Sequence, residues 1–564
     1  MNTTTPASNV AWTTDRNARR RHACDRQQRM RVERVQVETL RCGQARNAED
    51  AHKTPRTRRE RAMAFVHRET ALPVTSPEQA TARYRQLAHA QYDLVIIGGG
   101  SAGLSAAPLA RTLGASVALV DREKLGGECL YTGCVPSKAL LHAAQVAATV
   151  RKAAAVGLRA SLQATDLDQV MAYVRRAIER VYAENDAPEH LLSRGIDVAF
   201  GETRFVSPRA ISMNGAIITA RRFLIATGSH PAIPPIPGLR EVGFLTNETI
   251  FSLRALPERL AVIGGGPVGC ELGQAFARLG SQVTIFQRPA RLLPKDEPEA
   301  SATLQAQLES EGVTIMLGTD VTQVAQSERG AVLTVQVSGE TWEIAVDAIL
   351  VAVGRAPNIA DLDLEAAGVK YDARRRVGVD EYLRTSNPRV YAAGDVIGGY
   401  RFTHAAALHA RTAVRNALFP GRRTLETRVM PWATFTEPEV AHVGLTEAEA
   451  RRRYGAHVRV DLQPFTGVDR AVTDDVTSGF LMLISAANGK LLGAQMVGPH
   501  AGDIINEIAI ALERNLTVSQ IAAITHVYPT LALAVQQAAS AYSVERLGRS
   551  AIVTFLRRIA GMTP

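Results

Sequence analysis

The chain has 564 residues and a mass of 60.8 kDa, several times a usual domain, so two to four domains are expected. With 46% hydrophobic and 21% charged residues its composition is ordinarily globular, which excludes a wholly disordered or collagen-like chain. No apolar run reaches the roughly 18 residues of a transmembrane helix, so no membrane partner is expected. Five cysteines are too few for a disulfide scaffold and fit a reducing, cytoplasmic compartment, with any thiol chemistry confined to one site.

The net charge of +10 invites a nucleic-acid reading that its distribution removes. Residues 1–62 hold 15 Lys+Arg and 7 Asp+Glu, and the remainder of the chain is left with a net charge of only +2. This first segment has no periodicity that would bury a face and no apolar core of a secretory signal. Cys24 and Cys42 are too far apart for a metal-binding pair. Its acids, Asp15, Asp25, Glu33 and Glu38, count against a transit peptide. It reads as a disordered extension, or as the product of a start codon upstream of the true one, with Met63 the alternative start.

At residue 92 the texture changes. Tyr92–Ile97 is an apolar run suited to a buried parallel strand, and it leads into Gly98-Gly99-Gly100-Ser101-Ala102-Gly103 and a helical stretch to Leu113. Gly98, Gly100 and Gly103 occupy the three positions of a dinucleotide fingerprint: a tight turn, close approach to pyrophosphate, and close packing of helix on strand. The pyrophosphate would sit on the helix N-terminus. A second strand, Ser116–Val120, ends in Asp121, placed to accept from a ribose hydroxyl.

The pattern recurs. Leu260–Ile263 feeds Gly264-Gly265-Gly266-Pro267-Val268-Gly269, with Gly264, Gly266 and Gly269 in the fingerprint positions, then a helix to Leu279 and a strand over Gln282–Phe286. The position matching Asp121 is Gln287, with Arg288 and Arg291 beside it. A neutral side chain flanked by arginines favours a 2′-phosphate, hence NADPH over NADH, while a solvated surface pair is the plainer account of the arginines. Two nucleotide units in one chain suit a flavin taking electrons from a nicotinamide.

Between the units lies Gly126-Gly127-Glu128-Cys129-Leu130-Tyr131-Thr132-Gly133-Cys134-Val135-Pro136-Ser137-Lys138. In a regular helix the spacing of Cys129 and Cys134 gives about 140° of rotation and ~7.5 Å of rise. A disulfide wants Cα atoms within ~7 Å, so pairing these two requires a distorted helix start, which Gly133 and Pro136 allow. A helix N-terminus would also favour a thiolate. A pair of buried free cysteines is the alternative, and Cys270, alone in a helical run, reads as a core residue.

With these residues in hand, the stretch from about Tyr92 to about Leu547 resembles the class I pyridine nucleotide-disulfide oxidoreductases, which include dihydrolipoyl dehydrogenase, glutathione reductase and mercuric reductase. Ile225-Ala226-Thr227-Gly228 is similar to the family's crossover, and Val353-Gly354-Arg355-Ala356-Pro357-Asn358 to its return into the FAD domain. Ala393-Gly394-Asp395 is similar to the motif whose Asp binds the ribityl chain, and Met430–Thr446 to the start of the dimerisation domain. The resemblance implies an α/β fold with two Rossmann-like FAD/NAD(P)-binding domains and a C-terminal α+β dimerisation domain. Residues 1–90 would form the extension, 91–235 and 353–425 the FAD domain, 236–352 the NAD(P) domain, 426–548 the dimerisation domain and 549–564 a tail. It implies FAD and NADPH or NADH as cofactors, no metal site, and a homodimer. Cys129 takes the role of the interchange thiol and Cys134 that of the thiolate beside the flavin, while Lys138 and Glu271 match the ion pair near the reactive flavin nitrogen.

The C-terminal end departs from the family. Dithiol-using members carry a His-Pro-Thr motif with a Glu shortly after; here Tyr528 precedes Pro529-Thr530 and Leu533 replaces the Glu. Tyrosine, with an unperturbed pKa near 10, is a poor base at neutral pH. His526 is two positions away and, on an extended segment, would share the side of Tyr528 and could serve as base, with a turn or interface histidine the equal alternative. The loss counts less against mercuric reductase, whose Hg(II) substrate needs no such proton transfer. Yet the last cysteine is Cys270, so the vicinal cysteine pair near the C-terminus of mercuric reductases is absent. The expectation is a mercuric-reductase-like enzyme reducing Hg(II) or another thiol-reactive acceptor. The alternatives are a dihydrolipoyl dehydrogenase, or a redox-sensing or quinone- or oxygen-reducing flavoprotein.

Overall fold

The computed structural model describes residues 87, 91–328, 330–372, 376–548 and 550–562, so the extension expected over residues 1–90 lies, apart from Leu87, outside the described residues. The apolar run that opens the body becomes β1 (Gln91–Ile97), with Leu94, Val95 and Ile96 wholly buried. A strand without a polar face needs partners on both edges and layers on both faces. It lies parallel to β2 (Val117–Asp121) and to β6 (Ala216–Ile225). Parallel β3 (Asp197–Phe200) extends one edge of this sheet. Antiparallel β5 (Ala210–Met213) and β4 (Thr203–Ser207) extend the other. A short pair, β7 (Ser229–Pro231) with β15 (Arg355–Pro357), ties the crossover out of this sheet to the return into it. The returning chain then adds β16 (Val390–Ala392), parallel to the end of β6.

The second nucleotide unit is a four-stranded parallel sheet ordered β10 (Thr314–Leu317), β9 (Gln282–Gln287), β8 (Arg259–Ile263), β14 (Ala348–Val351). It is flanked by an antiparallel meander of β11 (Asp320–Ser327), β12 (Gly330–Val337) and β13 (Glu340–Val346). The C-terminal part is a five-stranded antiparallel sheet of β17 (Trp432–Thr434), β18 (Glu439–Gly444), β21 (Leu491–Gly498), β20 (Phe480–Ala486) and β19 (Val458–Pro464). The α/β class with two Rossmann-like units is as expected.

Helices fill the layers. α1 (Ser101–Thr112) follows the first glycine turn; α2 (Gly127–Tyr131), α3 (Cys134–Lys152) and α4 (Leu167–Val181) form the excursion between β2 and β3. α5 (Pro267–Leu279) follows the second turn, and α6 (Pro298–Ser310) leads on to β10. α7 (Thr403–Leu418) packs on α1 through Ala406, Ala410 and Ala413 against Ala102, Ala106 and Ala110. α8 (Ala501–Glu513) and α9 (Leu533–Gly548) cover the C-terminal sheet. One hydrophobic cluster joins all three parts, running from Leu140 and Met171 through Phe276 and Ile285 to Met482 and Val497. Within the stretch expected as a tail, Ala551–Ile559 form α10, with apolar side chains at helical spacing.

The glycine turns are steric requirements. A Cβ on Gly103 would lie 1.9 Å from the carbonyl oxygen of Gly98, and one on Gly269 would stand 1.9 Å from that of Gly264. Backbone cannot give way as a flexible side chain can. Gly103→Ala is therefore expected to cost about 3 kcal/mol of stability and to release flavin; thermal unfolding and the flavin absorbance of the purified protein check it.

Candidate active site

The two cysteines flank a break in helical backbone. Cys129 lies in α2 and Cys134 opens α3, with Gly133 between them at φ −118° and ψ −114°. A Cβ there would fall 2.9 Å from the Glu128 carbonyl oxygen, so glycine permits the break. This is the distortion that the five-residue spacing demands of a disulfide. Both cysteines are thiols in this structure. Thr403, the first residue of α7, donates its hydroxyl to Cys129 Sγ at 3.1 Å, and the same Oγ1 lies 3.5 Å from Cys134 Sγ. The hydrogen bond from Cys129 brings the Cys134 thiol down to about 6, helped by Thr403 and the charge of Lys138. That bond and burial push the Cys129 thiol up. Cys270 is wholly buried, its thiol pushed up by desolvation, as a core residue should be.

One turn into α3, Lys138 Nζ meets Glu271 Oε2 of α5 at 2.7 Å, the pair the resemblance implied. Glu271 is buried and its other oxygen accepts from the backbone N–H of Phe435 at 2.8 Å, while Lys138 Nζ lies 4.3 Å from the centroid of the Phe435 ring. The three parts of the chain thus meet at one carboxylate.

At the first nucleotide turn Asp121 Oδ2 accepts from Gly99 N–H at 2.6 Å; at the second, Gln287 Oε1 accepts from Gly265 N–H at 2.8 Å. Gln287 is buried and its Nε2 donates to the Arg291 carbonyl, so its amide holds the loop rather than facing a phosphate. Arg291 corrects the expectation of two flanking cations, because its guanidinium is turned onto the carbonyls of Pro294 and Asp296. Arg288 alone of the pair lines the cleft; it is largely exposed and 2.9 Å from Asp320.

The residues of the crossover, the return motif and Asp395 are bonded to one another or to their neighbours. Thr227 Oγ1 donates to the Asn358 carbonyl at 2.6 Å and Asn358 N–H to the Gly228 carbonyl at 3.0 Å, while Gly354 O accepts from Ala232 N–H. Asp395 Oδ2 accepts from Ser229 Oγ at 2.6 Å and stands 3.6 Å from Arg355 Nε. Arg355 also forms an ion pair with Glu128, the residue before Cys129. Sequence reasoning missed Thr403, Ser229, Glu128 and Arg355. Arg355 sits inside the return motif and was open to recognition there, whereas Thr403 reaches the cysteines across 269 and 274 residues with no local signal.

The structure separates His526 from Tyr528. The His526 side chain is only 6% exposed, with Nε2 2.8 Å from Glu507 Oε1 of α8 and Nδ1 3.1 Å from the Ile524 carbonyl. Tyr528 is 66% exposed and donates to Asp469 at 2.9 Å. The shared side expected of an extended segment is not observed, because Glu507 and the Ile524 carbonyl draw the imidazole inward. Neither residue lines the cleft that holds Cys129 and Cys134 within the same chain.

That cleft, about 2940 Å³ in volume, runs from the first glycine turn past the cysteines to the second. Both turns are open to an anion: α1 and α5 start without a side-chain cap and without an acid in the first turn, and a Cβ at Gly266 would have no neighbour within 4 Å. Two dinucleotides therefore fit the residues present. Residues 92–410 match the pyridine nucleotide-disulphide oxidoreductase family and residues 430–539 its dimerisation domain. The chain belongs to this family. FAD and NAD(P)H are the family's cofactors. The chain is 38% identical to a mercuric reductase of Staphylococcus aureus, over 79% of this chain and 82% of that one. It is also 38% identical to a dihydrolipoyl dehydrogenase of Thermus scotoductus, over 80% and 97%. Among solved structures it is similar to the HOCl-induced flavoprotein disulfide reductase RclA from Escherichia coli, with a TM-score of 0.71, 29% identity and coverage of 80% and 99%.

The split thiols give a pH expectation. Thiolate absorbance of the reduced protein should rise as pH increases through about 6 and belong to Cys134. Cys129→Ala and Lys138→Met should each move that midpoint upward, since each removes a cause of the lowering. A midpoint unchanged in both variants, or one lost with Cys129 alone, contradicts the assignment.

Proposed function

We propose that this flavoprotein disulfide oxidoreductase works as a homodimer whose Cys129–Cys134 pair passes electrons to Hg(II) or another soft metal ion that binds thiolates. The observation that carries the reading is the pairing of two thiols on one shared hydroxyl, while the imidazole of His526 lies outside their cleft and is bound to Glu507. A disulfide substrate needs an acid to protonate its leaving thiolate. A metal ion needs two sulfur ligands and no such acid. Similarity to mercuric reductases at 38% identity supports the same reading, and the Escherichia coli RclA structure is also known as a Cu(II) complex.

FAD, when bound, relays two electrons from NAD(P)H to the cysteines. The residues of the chain set the rest. Cys134 holds its sulfur as thiolate, and Cys129 keeps its proton until an acceptor binds. Closing the disulfide releases two electrons, which take Hg(II) to Hg(0), and any thiol protons pass to solvent. NAD(P)H with one further proton restores the two thiols. Lys138, paired with Glu271, would lie beside the flavin, and Asp395 and Asp121 would hold its ribityl and ribose hydroxyls.

Anaerobic NADPH oxidation with thiol-buffered Hg(II) in one cuvette and lipoamide in another tests the proposal. Turnover with Hg(II) is expected, lost in Cys129→Ser with FAD retained, and largely intact in His526→Ala. Turnover with lipoamide alone, abolished in His526→Ala, would make the protein a dihydrolipoyl dehydrogenase. Full activity in Cys129→Ser would point to electron transfer that bypasses the thiols.

Arg288 supports NADPH at the second turn. Arg288→Ala should raise KM for NADPH about tenfold, the worth of one charge-assisted hydrogen bond, and leave KM for NADH nearly unchanged. Equal changes for both nucleotides would remove the 2′-phosphate role.

A further inference from the structure

Helix α10 stands apart from the other α-helices among the described residues, in that none of its residues is buried. Its apolar side chains are bare: Ile552 is 70% exposed, Phe555 62%, Leu556 55% and Ile559 68%, with Met562 just beyond at 63%. At about 100° per residue the four within the helix fall within an arc of roughly 100°. Thr554, Arg557 and Arg558 take the opposite side. An apolar stripe backed by arginines is the pattern of a helix lying in a membrane interface.

Two further observations choose the occupant. The charge around the stripe has one sign: from Arg546 to Pro564 the sequence holds Arg546, Arg549, Arg557 and Arg558 and no acidic residue. Arg557 and Arg558, on the side opposite the stripe, form the polar face of an interfacial helix, which anionic lipid headgroups complement. The helix also lies beyond residue 539, where the match to the dimerisation domain ends. Exposed apolar residues inside that domain, such as Ile510 and Val527, have the domain's own function to account for them; those of α10 do not. A nine-residue helix gains little stability in water by itself, so its fold benefits from a surface that takes up the apolar face.

We infer that α10 is an interfacial anchor that docks the enzyme on the surface of an anionic lipid bilayer, with Ile552, Phe555, Leu556, Ile559 and Met562 among the acyl chains and the arginines at the headgroups. Among the described residues no helix is long and apolar enough to cross a membrane, and a helix lying in the interface crosses nothing. The inference is independent of the electron acceptor.

Flotation of the full-chain holoenzyme with vesicles tests it. One set is phosphatidylcholine alone and the other contains an equal part of phosphatidylglycerol, at about 0.05 M and about 0.5 M salt. The protein should float with the anionic vesicles, far less with the neutral ones, and less at high salt. A variant carrying Phe555→Glu and Leu556→Glu should lose about tenfold or more of the floated fraction, with flavin absorbance and NAD(P)H oxidation unchanged. Arg557→Gln with Arg558→Gln should weaken flotation while leaving the apolar stripe in place. Three results would overturn the proposal. In the first, the unaltered chain stays at the bottom of the gradient with both vesicles. In the second, the double Glu variant floats equally, which assigns binding to the basic residues 1–62. In the third, the unaltered chain runs as a larger assembly that the double Glu variant dissolves without either binding vesicles, which makes a second copy the occupant.

Discussion

Glu271 is the point on which the three parts of the chain depend. Its carboxylate comes from the NAD(P) unit, its cation Lys138 from the redox helix of the FAD unit, and its backbone donor from Phe435 in the C-terminal domain. An opposite charge and a fixed N–H offset the desolvation of a buried carboxylate, and each of those partners is carried by a different part of the chain. The Lys138 charge that answers Glu271 also lowers the Cys134 thiol. Domain assembly and thiol reactivity are therefore coupled through a single side chain, and the hydrophobic cluster running through all three parts keeps the junction in register.

The two nucleotide units show how one geometry takes two chemistries. In each, the end of the second strand carries an oxygen that accepts from the middle glycine of the turn, from Asp121 in the first unit and from Gln287 in the second. The bond holds the turn in either case, and the remaining difference is charge. Burial raises the Asp121 carboxyl, and four backbone N–H groups oppose that rise, an environment ready for ribose hydroxyls. The second unit has a neutral amide there and a cation, Arg288, at the mouth, whose neighbour Asp320 keeps the local charge balanced.

Much of this was legible in the sequence because the signals are local. Gly98, Gly100 and Gly103 lie within six residues, as do Gly264, Gly266 and Gly269, and their steric need is set by the strand and helix they join. The Cys129–Cys134 spacing likewise announced a break in the helix, and the break is there at Gly133. What stayed hidden is set by folding at a distance. Thr403 is ordinary in its own segment and becomes part of the site only because α7 packs on α1 through alanines, bringing its first residue to the cysteines. Arg291 misled for the opposite reason: adjacency in sequence placed it by the phosphate site, but backbone carbonyls a few residues on captured its guanidinium. The α10 helix was passed over as a tail because its few residues follow the family's last recognisable segment.

The replacement of the family's histidine by Tyr528 bears on the acceptor through proton accounting. An acid/base histidine is needed where a sulfur must leave as a thiol, and the position here offers a phenol whose hydrogen bond to Asp469 raises its pKa further. A phenol so held stays protonated at neutral pH and does not serve as a base. The thiol pair, by contrast, divides the labour internally: Cys129 donates to Cys134, so the proton that stabilises one thiolate is already carried by its partner. A metal ion displaces that proton to solvent on binding sulfur. That is why the proposed function takes an acceptor that competes with protons for sulfur rather than one that requires protons to be delivered.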